Sequence, residues 1–205
     1  MIFNIPKVNE MFPMKGVMHV GAFAGEELGQ YRSLGLTNTI MFEPQKALHE
    51  SLTTRIMFDE KIYNVALGSE VSTMEMYVSY RDGGVENGSG ASSSLLKPKV
   101  HLEEHPEVTF PTTETVQVDI LDNYYDPQYN FLSIDVQGYE LEVLKGGTKT
   151  LENIDAMILE VNRDEVYEGC PLIEDVNNFV IPLGFTMIET VWQSKSWGDA
   201  LYAKV

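Results

Sequence analysis

The chain has 205 residues, 43% of them hydrophobic, with 31 acidic against 14 basic side chains and a formal net charge of −17. That length suits one α/β domain with a sizeable core and argues against two. The charge argues against non-specific binding to nucleic acid or to anionic membrane, whose phosphates would be repelled, and the single cysteine, Cys170, excludes a disulfide framework and a multi-cysteine zinc site.

Met1 to Met14 carries scattered apolar residues and two prolines, so an N-terminal segment packing on the domain is expected there. The stretch from Lys15 to Glu43 organises the rest. Gly16-Val17-Met18-His19-Val20 is an apolar run stopped by Gly21, and Gly21 and Gly25 bracket Ala22-Phe23-Ala24 before Leu28, Tyr31 and Leu34 fall on one helical face ended by Gly35. A second apolar run, Thr39 to Phe42, ends at Glu43-Pro44, because proline denies the sheet an amide donor. Glu43 therefore sits at the carboxyl end of a strand. In open α/β sheets ligands bind there, where glycines admit a ligand and an acid can accept both ribose hydroxyls. The spacing Gly21-x-x-x-Gly25 is not the dinucleotide fingerprint, which disfavours a nicotinamide-dependent oxidoreductase. A cofactor with a ribose and no phosphates fits better, and S-adenosylmethionine is the common one.

A helix over Ala47, Leu48 and Leu52 follows, then a third strand across Lys61 to Gly68 and a half-exposed one across Thr73 to Val78. This β-α-β-α-β order predicts a parallel sheet with right-handed crossovers. Residues 80–113, rich in Gly, Ser and Pro, are expected to form a long insertion or lid loop with His101 and His105 solvated in it. Val116, Val118 and Ile120 predict a short strand. The run from Asn130 to Ile134 is a buried strand ending at Asp135, Gly138 permits a turn, and a helix opens at Glu140 and stops at Gly146-Gly147. Ala156 to Asn162 is a further core strand, and Leu172 to Val180 a helix. Phe185 to Val191 and Asp199 to Val205 close the chain as an antiparallel pair. No leader-like segment and no membrane-length apolar run is seen, so a soluble cytoplasmic protein with no membrane partner is expected.

Several separated motifs coincide with one family. His19-Val20-Gly21-Ala22 with Gly25, Phe42-Glu43-Pro44, Asn64-Val65-Ala66-Leu67, Ala91 to Leu95, Leu132 to Gly146 and Ile158 to Val161 occur in the order found in FkbM-type S-adenosylmethionine-dependent methyltransferases, which this chain resembles. The resemblance implies a class I, Rossmann-like doubly wound sheet with an antiparallel C-terminal strand pair, and O-methylation of a small-molecule or glycan hydroxyl. It implies that Gly21 and Gly25 line the methionine side of the cofactor, that Ala22 also binds cofactor, that Glu43 holds the ribose, and that Asn64, Val65 and Ala66 lie near the adenine. Asp135 would stand beside the reacting centre, and Ser92, Ser93 and Ser94 would approach the cofactor or acceptor. His19, Phe23 and Gln137 depart from the family's usual acid, asparagine and glutamate.

An alcohol must lose its proton as it attacks a sulfonium methyl, so a base is needed; Asp135 is the first candidate, with Glu160, Glu140 and His19 behind it. Glu140 equally suits the positive end of its helix. Asp135, Glu160 and Asn162, on neighbouring strand ends, offer oxygen ligands for Mg²⁺, although no histidine-carboxylate signature accompanies them. A non-catalytic cofactor-binding module is the competing reading, motivated by the three departures.

Overall fold

The computed structural model describes residues 3–57 and 59–205. The first strand, β1 (Val17–Val20), is followed by a helix, α2 (Leu28–Ser33), and by β2 (Thr39–Phe42), α3 (Lys46–Thr53) and β3 (Lys61–Tyr63); ahead of them lies α1 (Ile5–Met11). Asn4 starts α1 by accepting the Lys7 amide at 3.0 Å, so the N-terminal segment is a capped helix that buries Ile5 and Val8. The chain then leaves the main sheet for a small one built from β4 (Ala66–Leu67), β5 (Ser72–Tyr80) and β6 (Thr109–Asp119). A short helix, α4 (His101–Glu104), interrupts the segment between β5 and β6. The chain returns through β7 (Phe131–Ile134), α5 (Glu140–Lys145), α6 (Thr148–Asn153), β8 (Ala156–Asn162) and α7 (Ile173–Val180), and ends with β9 (Phe185–Trp192) and β10 (Trp197–Lys204).

The main sheet has the order β3-β2-β1-β7-β8-β10-β9, parallel from β3 to β8, with β10 antiparallel to both β8 and β9. This is the doubly wound, mostly parallel sheet with an antiparallel C-terminal strand pair that the resemblance implies. Strands β1, β2, β7 and β8 are buried along their whole length, as strands covered by helices on both faces must be. One face packs Met18, Ile40, Leu132 and Met157 against Val143, Leu151 and Val176 of the following helices. The other packs Val17, Phe131 and Ile158 against Ile5, Val8 and Tyr31. Alternate residues of each strand thus feed two cores.

The chain goes outward from β1 to β3 on one side and from β7 to β9 on the other, so the switch point lies between β1 and β7. Gly21 is the hinge of that point. Its φ is +81°, and a Cβ there would lie 1.8 Å from the Asp135 carbonyl, so the end of β1 can touch the end of β7 only through glycine.

The expected strand across Lys61 to Gly68 is two strands in different sheets, because Asn64 bonds back to Glu43 and turns the chain. The expected short strand at Val116 runs from Thr109, and residues 80–113 contain a 3₁₀ turn (Val85–Asn87) and α4 rather than loop alone.

Candidate active site

Two cavities open along the carboxyl ends of β1, β2 and β7 and share Gly21, Phe23, Ala91, Asp135 and Gln137. The narrower, about 50 Å³, runs over Glu43, Val65, Ala66 and Met76 beneath Ser93 and Ser94. The wider, about 340 Å³, extends past His19 and Ser92 to His101, His105, Glu107, Gln193 and Trp197.

Glu43 follows the last residue of β2 and is 2% exposed. Its carboxylate accepts the Phe23 amide at 2.8 Å and the Gln45 amide at 2.7 Å. Burial raises its pKa to about 7, against the pull of those two N–H groups. Phe23 reaches this bond at φ +45°, a left-handed conformation that bulky residues rarely adopt, so the turn after β1 is held by the acid of β2. Gln45 then ties down the cover: its Nε2 donates to the Gly90 carbonyl at 3.0 Å, and its Oε1 accepts Ser93 Oγ at 3.3 Å. Ser94 Oγ donates to the Gln137 carbonyl at 2.6 Å. The serine run is therefore a strap laid across the narrow cavity.

Asp135 stands where the two cavities meet. Its Oδ1 accepts Gln137 Nε2 at 2.8 Å, and the same nitrogen lies 2.8 Å from Glu160 Oε2. Gln137 Oε1 in turn lies 2.8 Å from the Tyr167 hydroxyl. Glu160 is 3% exposed; burial first, then the neighbouring Asp135, Glu140 and Asp199, push its pKa well up. Among the described residues no lysine or arginine forms an ion pair with Glu43, Asp135 or Glu160. A site of this sign suits a cationic ligand.

The model of the FkbM methyltransferase domain matches residues 19–187. The chain belongs to the FkbM methyltransferase family. It is 28% identical over 113 residues to the 2-O-methyltransferase NoeI of Sinorhizobium fredii (strain NBRC 101917 / NGR234), covering 53% of this chain and 46% of that protein. It superposes on the FkbM methyltransferase of Methylobacillus flagellatus KT with a TM-score of 0.60 at 14% identity, covering 92% of this chain and 43% of that one. The chain thus spans about half the length of the relatives it matches. Magnesium protoporphyrin IX methyltransferase from Synechocystis PCC 6803, solved with bound S-adenosylmethionine, shares the fold at a TM-score of 0.51 and 8% identity, covering 92% of this chain and 69% of that one.

Within this FkbM domain the predicted site residues separate into groups. Gly21, Ala22, His19, Asp135, Glu160 and Ser92 border the wide cavity, and Glu43, Val65, Ala66, Ser93 and Ser94 the narrow one. Gly25 and Asn64 border neither. At Gly25, φ is +68° and a Cβ would lie 2.5 Å from Leu52 Cδ2, so its absence lets the turn pack on α3. Asn64 Nδ2 donates to the carbonyls of Glu43 and Pro44 at 3.0 and 2.8 Å, which fixes the end of β2 from outside. Glu140 is 1% exposed and its Oε1 accepts the Val136 and Gly138 amides, each at 3.1 Å, so it braces the turn after β7. His19 Nδ1 lies 3.0 Å from the Tyr31 hydroxyl.

The candidate Mg²⁺ set finds no support. Gln137 Nε2 stands between Asp135 and Glu160 where a cation would have to sit, and no group of three or more His, Cys, Asp or Glu among the described residues is placed to hold a metal. His101 is a second correction. It is 4% exposed, covered by Phe110 and Tyr167, and borders the wide cavity instead of lying in solvent. Tyr167 and Gln45 belong to the site without any sequence signal that marks them, since each acts through a partner at least 30 residues away.

Proposed function

We propose that this chain is an S-adenosylmethionine-dependent O-methyltransferase acting on a hydroxyl of a sugar or another small molecule. Residues 1–205 are read as one methyltransferase domain, with residues 80–113 as the insertion that covers the site. The observation that carries the reading is the pair of joined cavities at the switch point, with Glu43 in one and Asp135 at their junction, neither carboxylate paired with a cation. Glu43 keeps lone pairs for ribose hydroxyls beyond the two amides it holds, and Val65, Ala66 and Met76 supply an apolar floor beside it for a base. When bound, the cofactor supplies a methyl group on a positively charged sulfur. Asp135 lies where that charge belongs, and Gln137 holds its carboxylate in place. Glu160 and His19 are better suited to support than to proton transfer, because one is buried against Gln137 and the other against Tyr31.

The wide cavity continues beyond Asp135 to Trp197, Gln193 and His105, an aromatic face with hydrogen-bonding neighbours that suits a polyhydroxylated acceptor. In-line transfer needs that acceptor held against the methyl group with water kept out, and the Ser92–Ser94 strap closes the site above. A strongly acidic chain disfavours nucleic acid as the acceptor. Among the described residues no helix is long and apolar enough to cross a membrane, and a cytoplasmic setting is part of this proposal.

Isothermal titration with S-adenosylmethionine and S-adenosylhomocysteine, on the wild type and on Glu43→Ala, tests the reading. Binding by the wild type with most affinity lost in the variant supports it; no binding at millimolar concentration refutes it. Binding without methyl transfer to any hydroxylated acceptor would favour the non-catalytic module.

A further inference from the structure

Tyr167 is wholly buried, yet its hydroxyl reaches the side chain that holds Asp135 at the junction of the two cavities. It lies in the segment between β8 and α7, and that segment is anchored on both sides of it. The Val166 carbonyl accepts the Lys99 and His101 amides at 3.0 and 3.1 Å, the Glu168 amide donates to the Lys97 carbonyl at 2.7 Å, and the Cys170 amide donates to the Tyr167 carbonyl at 3.1 Å. The turn that the phenol approaches is shaped to admit it. Gly138 has φ +96°, and a Cβ there would lie 3.2 Å from Tyr167 Cδ2. Gln137 before it holds φ +57°, a left-handed conformation uncommon for a residue with a side chain. In that conformation its carbonyl accepts Ser94 Oγ at 2.6 Å while its amide meets three further partners.

Those three partners decide which way the amide faces. Nε2 lies 2.8 Å from both Asp135 Oδ1 and Glu160 Oε2, and Oε1 lies 2.8 Å from the Tyr167 hydroxyl. Turned over, the amide would set its oxygen against two carboxyl groups and leave Asp135 without that N–H. The phenol supports the observed orientation only by donating, and it keeps its proton to do so: burial, then Glu160 and Asp135, raise its pKa well above the ordinary value. The same hydroxyl lies 3.0 Å from the Ser92 carbonyl, so the strap over the site and the amide beneath it meet at one proton.

We infer that Tyr167 is a positioning residue: by donating to Gln137 Oε1 it turns the amide so that Nε2 holds the Asp135 carboxylate at the cavity junction, where the methyltransferase reading, on which this inference rests, puts the positive sulfur of the cofactor. Tyr167 touches no ligand in this role, since it is buried behind Gln137. Without the hydroxyl, Gln137 Oε1 loses its donor and the amide is free to turn, which takes the N–H away from Asp135. S-adenosylmethionine carries a positive sulfur and S-adenosylhomocysteine a neutral one, and otherwise the two differ only by the methyl group. A misplaced carboxylate therefore weakens the hold on the first and spares the second, whereas a loss of packing weakens both.

The test uses the whole chain with Tyr167→Phe, Gln137→Ala and the two together, each titrated calorimetrically with S-adenosylmethionine and with S-adenosylhomocysteine. Phenylalanine keeps the ring and loses only the donor, so Tyr167→Phe is expected to bind S-adenosylmethionine about 3- to 10-fold more weakly than the wild type and S-adenosylhomocysteine within about twofold of it. In the Gln137→Ala background the same substitution is expected to change S-adenosylmethionine affinity by less than about twofold, because the group it acts through is gone. Equal losses for the two ligands in Tyr167→Phe, or no loss for either, overturn the inference and leave the methyltransferase reading standing. So does a loss in the Gln137→Ala background as large as that in the wild type. If Gln137→Ala binds neither ligand, the ratio of the two affinities in Tyr167→Phe decides alone. A wild type that binds neither ligand overturns both the inference and the reading beneath it.

Discussion

Replacing Glu43 by glutamine should remove a loss of stability between pH 5 and pH 8 while weakening the hold on the proposed cofactor. The carboxyl is 2% exposed and its pKa is raised from 4.5 to about 7, mainly by burial. Below pH 4.5 the folded and unfolded chains both carry the proton. Between pH 4.5 and about 7 the unfolded chain has released it and the folded chain has not, so stability falls as pH rises through this window. At about 1.4 kcal/mol per pH unit the loss reaches about 3 kcal/mol above pH 7. A glutamine has the shape of a protonated Glu43 but a single acceptor oxygen, so one of the Phe23 and Gln45 amides, which bond to different carboxyl oxygens, would face its NH2 group, and the variant should be less stable than the wild type by about 1–3 kcal/mol at pH 5. Between pH 5 and pH 8 the difference between the two proteins should move by about 2–3 kcal/mol in favour of Glu43→Gln, in urea unfolding followed by circular dichroism. Glu140 and Glu160 are raised in the same sense, but they are present in both proteins and cancel in the comparison. Parallel stability-versus-pH curves for the two proteins would refute the argument.

Gly25→Ala should cost about 1–3 kcal/mol, from a side chain at φ +68° and a contact with Leu52, and leave S-adenosylmethionine affinity within about twofold; a tenfold loss of affinity at full stability, measured by titration and urea unfolding, would instead make it a ligand contact. Gln137→Ala removes the amide shared by Asp135 and Glu160 and should destabilise by about 2–4 kcal/mol at pH 8 and by less at pH 5, since burial and the neighbouring acids favour the protonated form of Glu160, as urea unfolding at the two pH values would show. Asn64→Ala loses two bonds to main-chain carbonyls and should cost about 1 kcal/mol in the same assay.

The half of the site proposed to bind the cofactor is legible because it is built from neighbouring residues. A strand, a glycine turn and an acid after the next strand are local signals, and Gly21, Glu43 and Asp135 all fall at strand ends that apolar runs mark in the sequence. What was missed depends on distant partners. Helix α6 follows two glycines and is rich in threonine, a poor helix former; it exists because Asp122 accepts the Lys149 and Thr150 amides at 3.1 and 2.7 Å. Strand β6 begins with Thr109 to Glu114, mostly exposed, so no apolar alternation announces it before Val116. Gln137 reads in the sequence as a lost carboxylate, whereas in the fold its amide satisfies two carboxylates that a third would repel.

The two halves of the site are therefore held by different means, and this bears on specificity. Glu43, Gly21 and Asp135 are set by the parallel strands of the main sheet, whose removal would dismantle the core. The wall proposed to face the acceptor comes from α4, Val166 and the turn at Gln193 and Trp197 between β9 and β10; the Lys99 and His101 amides hold α4 to the Val166 carbonyl, and only Trp197 of these pairs with a central strand, at Asn162 of β8. Changes there alter cavity shape and polarity at small cost to the core. The fold itself is indifferent to the acceptor, as its likeness to a porphyrin methyltransferase shows, so the acceptor of this chain must be sought in the residues around His101, His105 and Trp197.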